Sequence, residues 1–378
     1  MIKRFAVLSS YKYTLWFTAS CFFLSTVLIL MSRKAEGFAQ WYAATIYPVF
    51  PNTVGRMFSA WNVSIFEAGI LAGFLLLILL LTGGIVLTLI RSPLRRIYHS
   101  RLTRGFLCLL AGLTLIYTLT CAINYQRDGI GAVLNLPVQT ASKDSLKKLN
   151  YILAEEMVRL TGDPDWDYRI LSSWNPADIE AEAVSAMKKL GKTEPSLSGY
   201  YPKPKPVHHS EVLSAFGIEG IFSPFTMEAN YNKAMTSFLI PFTISHELAH
   251  LKGYMKEEDA GFIAYLACRE SSSKVFQYSG LFHALIYSLN ALKAEATAEE
   301  FNEIYGKLPE PVRLQLRYIK EQSTIQTAKW KAATHQVNNL YLAANAQPGM
   351  KSYGLMVDLL IAEYADRMEA ENMNILLE

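Results

Sequence analysis

Residues 241–266 read PFTISHELAHLKGYMKEEDAGFIAYL, and the prediction of this fold depends on the HExxH motif they contain. On a helix, His246 and His250 lie one turn apart and project from the same face, with Cβ atoms about 5–6 Å apart. Both rings can then direct a nitrogen at one zinc ion, at about 2.0–2.1 Å. Glu247 follows the first histidine and points to the open side of the metal, where it can accept a proton from the water that zinc activates. The motif therefore predicts a zinc site with a carboxylate base.

The segment after the motif supplies acidic candidates for a third metal ligand. Gly253 can end the motif helix by adopting a positive φ, and a new helix is expected to begin near Lys256. Its first turn contains Glu257, Glu258 and Asp259. The helix face through the first of these acids continues with small residues that allow a close helix contact, namely Ala260, Gly261, Ala264 and Cys268. We therefore predict Glu257 as the third ligand, while complementing the helix dipole explains the other two acids.

A group that stabilises the developing oxyanion is usual in sites of this kind. The candidates are Tyr278, His283 and Tyr353, and we predict Tyr278 and Tyr353 as catalytic residues beside Glu247. The alternative for each of the three is a core or surface position. His208 and His209 follow a proline-rich stretch and are interpreted as solvated loop residues.

Beyond residue 125 the pattern predicts one domain, 126–378, made mainly of helices. Helices are expected at 143–160 and 176–190, and again almost continuously after residue 240. Pro202–Pro206 (PKPKP) cannot be helical and predicts an extended connector. Residues 217–232 (GIEGIFSPFTMEANYN) mix β-formers with turn residues and predict a small sheet. This segment either binds a peptide as an added strand or forms a purely structural hairpin.

Three apolar runs without charge precede this domain. They cover residues 13–31, 68–90 and 105–123, and each is long enough to cross a bilayer core of about 30 Å. Residues 1–125 therefore predict a membrane domain with three transmembrane helices. The link between the second and third runs carries five arginines and no acid, which places it and the N-terminus in the cytoplasm. The domain 126–378 is then expected on the extracytoplasmic side of the cell membrane.

Composition and charge exclude several other classes of protein. Of the 378 residues 51% are hydrophobic. The net charge is only +3, and no basic stripe is interleaved with aromatic residues. These two observations exclude a nucleic-acid partner. The four cysteines show no pairing pattern, so neither a disulfide framework nor a cysteine metal site is indicated. The apolar run ahead of His246 is short and interrupted by Pro241, which excludes an intramembrane protease.

A resemblance to known families adds to these observations. The arrangement HExxHxxG followed by ExxA, at His246–Gly253 and Glu257–Ala260, resembles the glutamate-liganded zincin peptidases. Several such families have an Asn or Asp after that alanine, which braces the metal site. Here Gly261 occupies the position, so the brace is missing or comes from elsewhere. More narrowly, the chain resembles the bacterial membrane proteins of domain of unknown function 3810, through PKPV (204–207), PFTMEAN (224–230), HELAH, YSG (278–280) and SYG (352–354).

The predicted fold class is mainly α: three N-terminal transmembrane helices followed by an α-rich, zincin-like α+β domain with a small β-sheet. The expected function is a membrane-anchored zinc metallopeptidase that hydrolyses peptide bonds, with Zn²⁺ as cofactor. Its expected partners are the lipid bilayer and a peptide or protein substrate, and the sequence leaves the oligomeric state open. The alternative is a non-catalytic membrane sensor or assembly factor with a structural or degenerate zinc site. Glu247 favours catalysis, because a purely structural site needs no such residue.

Overall fold

The computed structural model describes residues 2–173, 175–327, 345 and 352–369. It forms two units by its internal packing. The first contains residues 1–127 and the loop 223–227, and the second contains residues 128–222 and 228–378. The division made from the sequence at residue 125 did not assign that loop to the first unit.

The first unit is helical. Its helices are α1 (Ile2–Lys34), α2 (Phe38–Thr45), α3 (Arg56–Phe58), α4 (Ile65–Leu89) and α5 (Arg95–Thr120). Helices α1, α4 and α5 contain the three predicted apolar runs and are long and apolar enough to cross a membrane, which suggests membrane association. Each begins before its apolar run, because the flanking residues continue the helical hydrogen bonding, while α4 ends one residue and α5 three residues before the end of the predicted run. Helix α1 packs along α5, and the Tyr42 hydroxyl of α2 donates to the Leu119 carbonyl at 2.8 Å.

The second unit begins with three helices. They are α6 (Ile130–Val133), α7 (Lys143–Thr161) and α8 (Pro176–Thr193), of which the last two confirm the helices predicted at 143–160 and 176–190. Ser142 and Ser145 form a capping box at the start of α7. The Asn175 side chain accepts a hydrogen bond from the Ala177 N–H at the start of α8, and Pro176 provides a φ that suits a first helical residue.

A small sheet follows, as residues 217–232 predicted. Along the chain the elements are β1 (Lys205–Pro206), α9 (Ser210–Ala215), β2 (Gly220–Ser223) and β3 (Glu228–Tyr231). The strand order is β1-β3-β2, and β1 pairs in parallel with β3, so that Lys205 lies opposite Asn230. Strand β2 is therefore an edge strand, and it lies directly against the acid of the motif described below.

The remaining described chain is helical. It forms α10 (Ile240–Leu251), α11 (Glu257–Glu270), α12 (Lys274–Glu295), α13 (Ala298–Lys307), α14 (Glu310–Thr327) and α15 (Ser352–Glu363). Helix α10 packs on α8, β3, α11 and α12, and α11 packs in turn on α12 and α15. Leu248, Phe262 and Ile263 are completely buried in the resulting core. Burial of each such side chain contributes about 1.5–3 kcal/mol, so the packing of α10 and α11 holds the motif region rigidly.

Candidate metal centre

The two histidines of the motif lie side by side on α10. Their ring centroids are 4.6 Å apart and their planes are nearly perpendicular. The helix ends at Leu251, and Gly253 has φ +84°, which allows the chain to turn towards α11. The sharp turn brings the first residue of α11, Glu257, back to the histidines.

Glu257 completes a group of three potential metal ligands. Its Oε2 lies 3.2 Å from His246 Nε2, and its Oε1 lies 3.8 Å from His250 Nε2. The candidate ligand atoms of the three residues all lie within 4.8 Å of one another. Two atoms that bind one zinc ion tetrahedrally at about 2.0–2.2 Å are about 3.3–3.5 Å apart, so the observed separations fit such an ion.

The hydrogen bond of His250 determines which of its ring nitrogens carries the proton. Its Nδ1 lies 2.7 Å from the Tyr254 carbonyl oxygen, which can only accept, so Nδ1 carries the proton and Nε2 a lone pair. Burial, followed by the charge of His246, lowers the pKa of His250 to about 4, so the ring is neutral at pH 7. A neutral imidazole fixed by a carbonyl on its second nitrogen is the usual state of a metal-ligating histidine.

His246 and Glu257 form an ion pair in the protein alone. Burial lowers the pKa of His246, but the hydrogen bond and charge of Glu257, together with the charges of Glu247 and Glu219, raise it by more, so the net shift is upward. Burial raises the pKa of Glu257, but the hydrogen bond from His246 and the charges of His250 and His246 lower it to about 2. The proton shared by this pair is the one that a metal ion would replace.

Glu247 lies beside this group without belonging to it. Its side chain is buried, and burial is the main reason why its pKa rises to about 8. The Phe222 backbone N–H of β2 donates to its carboxylate. A Cβ added to Gly220 would lie 2.4 Å from Glu247 Oε1, so only glycine allows the strand to approach this closely. The edge strand therefore holds the carboxylate in place.

The other two acids of the first turn of α11 have different surroundings. The Asp259 carboxylate accepts a hydrogen bond from the Ile130 backbone N–H at 2.9 Å, which connects α11 to α6. Glu258 is buried and its Oε2 has no hydrogen bond, and burial is the main cause of its raised pKa. Neither residue belongs to the ligand group, which contains Glu257 alone of the three acids.

Gly261 has no side chain that could brace the candidate metal site. A neighbouring helix fills the space beside it. A Cβ on Gly261 would lie 2.9 Å from the Met356 sulfur of α15. The Tyr254 carbonyl provides the corresponding support for His250, and the charge of Glu219 acts on both His246 and Glu247. Sequence reasoning missed Glu219, and the one available signal was an acid placed just before β2.

The predicted oxyanion-stabilising residues differ in their surroundings. Tyr278 is completely buried, its hydroxyl donates to Gln315, and its ring packs on Trp166 and Phe238. None of these partners is a ligand residue, and the catalytic role predicted for Tyr278 stays a prediction. Tyr353 lies on α15, but its side chain falls outside the described residues, and its predicted role is not tested.

His283, the remaining candidate, stacks on Phe242 with ring centroids 3.9 Å apart, one helical turn before His246. Its Nδ1 lies 2.9 Å from the Ser279 carbonyl and therefore carries the proton. Burial is the main reason why its pKa falls to about 4. The neutral ring has no N–H on Nε2, so it can accept a hydrogen bond there but cannot donate one to an oxyanion.

The chain matches the family model described as Protein of unknown function (DUF3810) over residues 42–361. It belongs to this family. No curated protein and no solved structure matches the chain. The matched range of the DUF3810 protein includes α10 and α11 with the complete ligand group, and the family description states no activity.

Proposed function

We propose that this DUF3810 protein is a membrane-anchored zinc metallopeptidase that hydrolyses peptide bonds. The observation that carries the proposal is the arrangement of His246, His250 and Glu257, whose facing ligand atoms lie at separations suited to one zinc ion. The separate buried acid Glu247 is adjacent to the first histidine. Three protein ligands leave a fourth position for water, as catalytic zinc sites require, whereas structural sites use four protein ligands. We infer a zincin-like arrangement of the second unit on the same grounds.

The chemistry follows from what each group can do. Bound zinc would act as a Lewis acid and lower the pKa of a water molecule towards about 7. Glu247 has a pKa raised to about 8, close to the working pH, which suits a group that accepts a proton and later returns it. Its Phe222 N–H partner and the contact with Gly220 orient the carboxylate for this role.

The substrate would bind along the edge strand. Strand β2 is at the end of the β1-β3-β2 sheet and lies against Glu247. An extended peptide can add to such an edge through backbone hydrogen bonds, which would bring one of its carbonyl groups next to the base. Anchoring by apolar helices would favour membrane-associated substrates by raising their effective concentration.

The first test measures metal. Zinc content is determined by elemental analysis on the purified full-length protein and on His250→Ala. We expect about one zinc per wild-type chain and a large loss in the variant. Equal zinc content in both proteins would contradict the assigned site.

The second test measures cleavage. Glu247→Gln should retain zinc and abolish cleavage of a peptide pool, while Glu211→Gln, the same substitution on exposed α9, should leave cleavage unchanged. Undiminished cleavage by Glu247→Gln would rule out the assigned base. If both Glu247→Gln and wild type bind zinc and neither cleaves, the non-catalytic alternative is favoured, in which the Phe222 N–H holds Glu247 for structure. Proteomic comparison of cells that carry each protein would then identify substrates.

A further inference from the structure

A cavity of about 690 Å³ lies between α4 and α5 in the first unit. The two helices touch near the short link that joins them, where the Tyr98 hydroxyl donates to the Leu80 carbonyl at 2.6 Å. Gly83 permits this contact, since a Cβ there would lie 3.1 Å from the same hydroxyl. Further along α4, Gly73 lines the cavity and has no atom within 4 Å of an added Cβ. The cavity extends from Leu87 and Leu94, beside the link, to Gly73 and Leu109 further along the two helices, and forms a groove between them.

The groove is lined almost entirely by carbon. Its walls are formed by aliphatic side chains such as Leu76, Leu77 and Ile97, each about half exposed. A second cavity of about 290 Å³ between the same helices shares Leu80 and Leu102 with the first. The volume of the larger cavity falls within the range of about 300–1,000 Å³ that is typical of ligand sites. Such walls suit hydrocarbon chains and exclude a free nucleotide or an acidic peptide.

A cationic group lies at this apolar groove. Arg101 is the charged residue among those lining the cavity, it is exposed, and within the described part of the chain it makes no hydrogen bond or ion pair. It lies six residues after the start of α5, about 9 Å along the helix axis. Arg104, one turn further, is already engaged, with its guanidinium 4.7 Å from the Tyr11 ring centroid. Arg101 is thus the guanidinium available to a ligand that occupies the groove.

The charge around the groove has one sign. Residues 68–127 contain no Asp or Glu, and five arginines lie between positions 91 and 104. The ammonium group of a zwitterionic headgroup would therefore have no carboxylate in this segment with which to form an ion pair. Basic residues placed between apolar helices recognise anionic lipid headgroups, each contributing through Coulomb attraction and hydrogen bonds. The charge pattern therefore favours a net negative headgroup over a zwitterionic one.

We propose that the groove between α4 and α5 binds one anionic phospholipid, with its phosphate on Arg101 and its acyl chains against Leu76, Leu77 and Leu80. The site is separate from the metal centre and does not depend on the proposed peptidase activity. It requires an apolar wall and a guanidinium that can reach a phosphate, and Arg101, which pairs with no residue in the described part of the chain, lies at such a wall.

Native mass spectrometry of the purified full-length protein tests the proposal. The probes are phosphatidylglycerol and phosphatidylcholine with identical acyl chains. Wild-type protein should retain phosphatidylglycerol more strongly than phosphatidylcholine. Arg101→Gln should lower phosphatidylglycerol retention about fivefold, the effect expected for one arginine near an anionic lipid. The matched control Arg96→Gln removes the same charge from α5 at a residue that does not line the cavity, and should change retention by less than about twofold.

A third variant tests the cavity itself. Leu77→Trp fills the groove without changing any charge, and it should lower the retention of phosphatidylglycerol. Equal retention of the two lipids by wild type, or equal losses in Arg101→Gln and Arg96→Gln, would overturn the proposal in favour of unspecific surface charge. A protein dimer that Leu77→Trp dissociates, without bound lipid, would overturn it in favour of a second copy of this chain.

Discussion

At the scale of single residues, the candidate metal centre depends on the protonation of its two histidines. The Tyr254 carbonyl fixes the proton of His250 on Nδ1, and burial keeps the ring neutral, so Nε2 is ready to bind a metal. His246 differs because Glu257 stabilises its protonated form, so that metal binding must release a proton. Two residues four positions apart in one motif therefore have opposite protonation preferences, and the cause is the contact each makes with its neighbours.

The choice of the third ligand leads to a prediction about Glu257. The variant Glu257→Gln should weaken zinc binding by more than about 100-fold, since even loss of an outer-shell partner costs about 10–100-fold. Isothermal titration with zinc measures the affinity. Glu258→Gln is the matched control, because the Glu258 side chain is also buried, is adjacent in sequence and lies outside the ligand group. A loss in Glu258→Gln as large as in Glu257→Gln would contradict the assignment.

The close approach of β2 leads to a second prediction at this scale. In Gly220→Ala the new methyl group would lie 2.4 Å from Glu247 Oε1 and must displace the carboxylate. If the protein is a peptidase, its turnover should fall by about 100-fold, because a displacement of about 1 Å of a catalytic group has an effect of that order. Zinc content should stay unchanged, since the methyl group does not meet the ligands. Loss of zinc together with turnover would show instead that β2 supports the ligands.

At the scale of elements, small residues on α11 allow neighbouring helices to pack closely against it. Ala260, Gly261, Ala264 and Cys268 are all buried in its contacts with neighbouring helices. The small-residue stripe predicted from the sequence is buried, but Gly261 faces α15 through Met356 and Cys268 meets Gly280 of α12. Close packing at these positions fixes the angle at which α11 presents its first residue to α10.

The contact between α11 and α12 gives a prediction about stability. A Cβ on Gly280 would lie 2.7 Å from Cys268 Cβ, an atom that cannot rotate away. Gly280→Ala should therefore lower the free energy of unfolding by about 1–3 kcal/mol, as overpacked cores do. Chemical denaturation of the detergent-solubilised protein, followed by circular dichroism, measures the change.

Two further variants distinguish overpacking from a general effect of the substitution. Gly306→Ala on α13 places a methyl group where no atom lies within 4 Å, and it should raise the free energy of unfolding by about 0.4–1 kcal/mol. Cys268→Gly combined with Gly280→Ala removes the colliding atom and should recover part of the loss. An unchanged stability of Gly280→Ala would mean that the helices separate easily, against the rigid packing inferred here.

At the scale of the whole molecule, the two units differ in how much of their apolar surface is buried. The first has three helices apolar enough to cross a membrane, and α4 buries almost none of its surface inside the protein. The second has a conventional buried core with a polar surface. An apolar helix with this much exposed surface is stable in hydrocarbon, because a helix satisfies its backbone hydrogen bonds internally.

The arginine-rich link between α4 and α5 predicts on which side of the membrane each connecting segment lies. Alkaline phosphatase fused after residue 62 or 140 should be active outside the cell, and green fluorescent protein fused after residue 98 should fluoresce inside. The physical reason is that the arginine-rich link resists transfer across the membrane. Active phosphatase after residue 98 would reverse the orientation and would place the candidate metal centre in the cytoplasm.

The sequence by itself determined the features that depend on local chain geometry. The spacing of His246 and His250 predicted two ligands on one face, because 3.6 residues make a turn of any α-helix. The length of the apolar runs predicted the long helices α1, α4 and α5, and the mainly helical class with a small sheet followed from residue patterns. Membership of the DUF3810 family was also visible in the motifs.

Only the tertiary structure decided the features that depend on distant segments meeting. The sequence favoured Glu257 among the three acids through the small residues on its helix face, but the position of its carboxylate beside the two histidines depends on the packing of α11 against α10. The contact of Gly220 with Glu247 joins residues far apart in the chain, and so does the packing of Tyr278 on Trp166. Local backbone sterics act over a few residues, whereas the packing that brings such partners together is a property of the whole core.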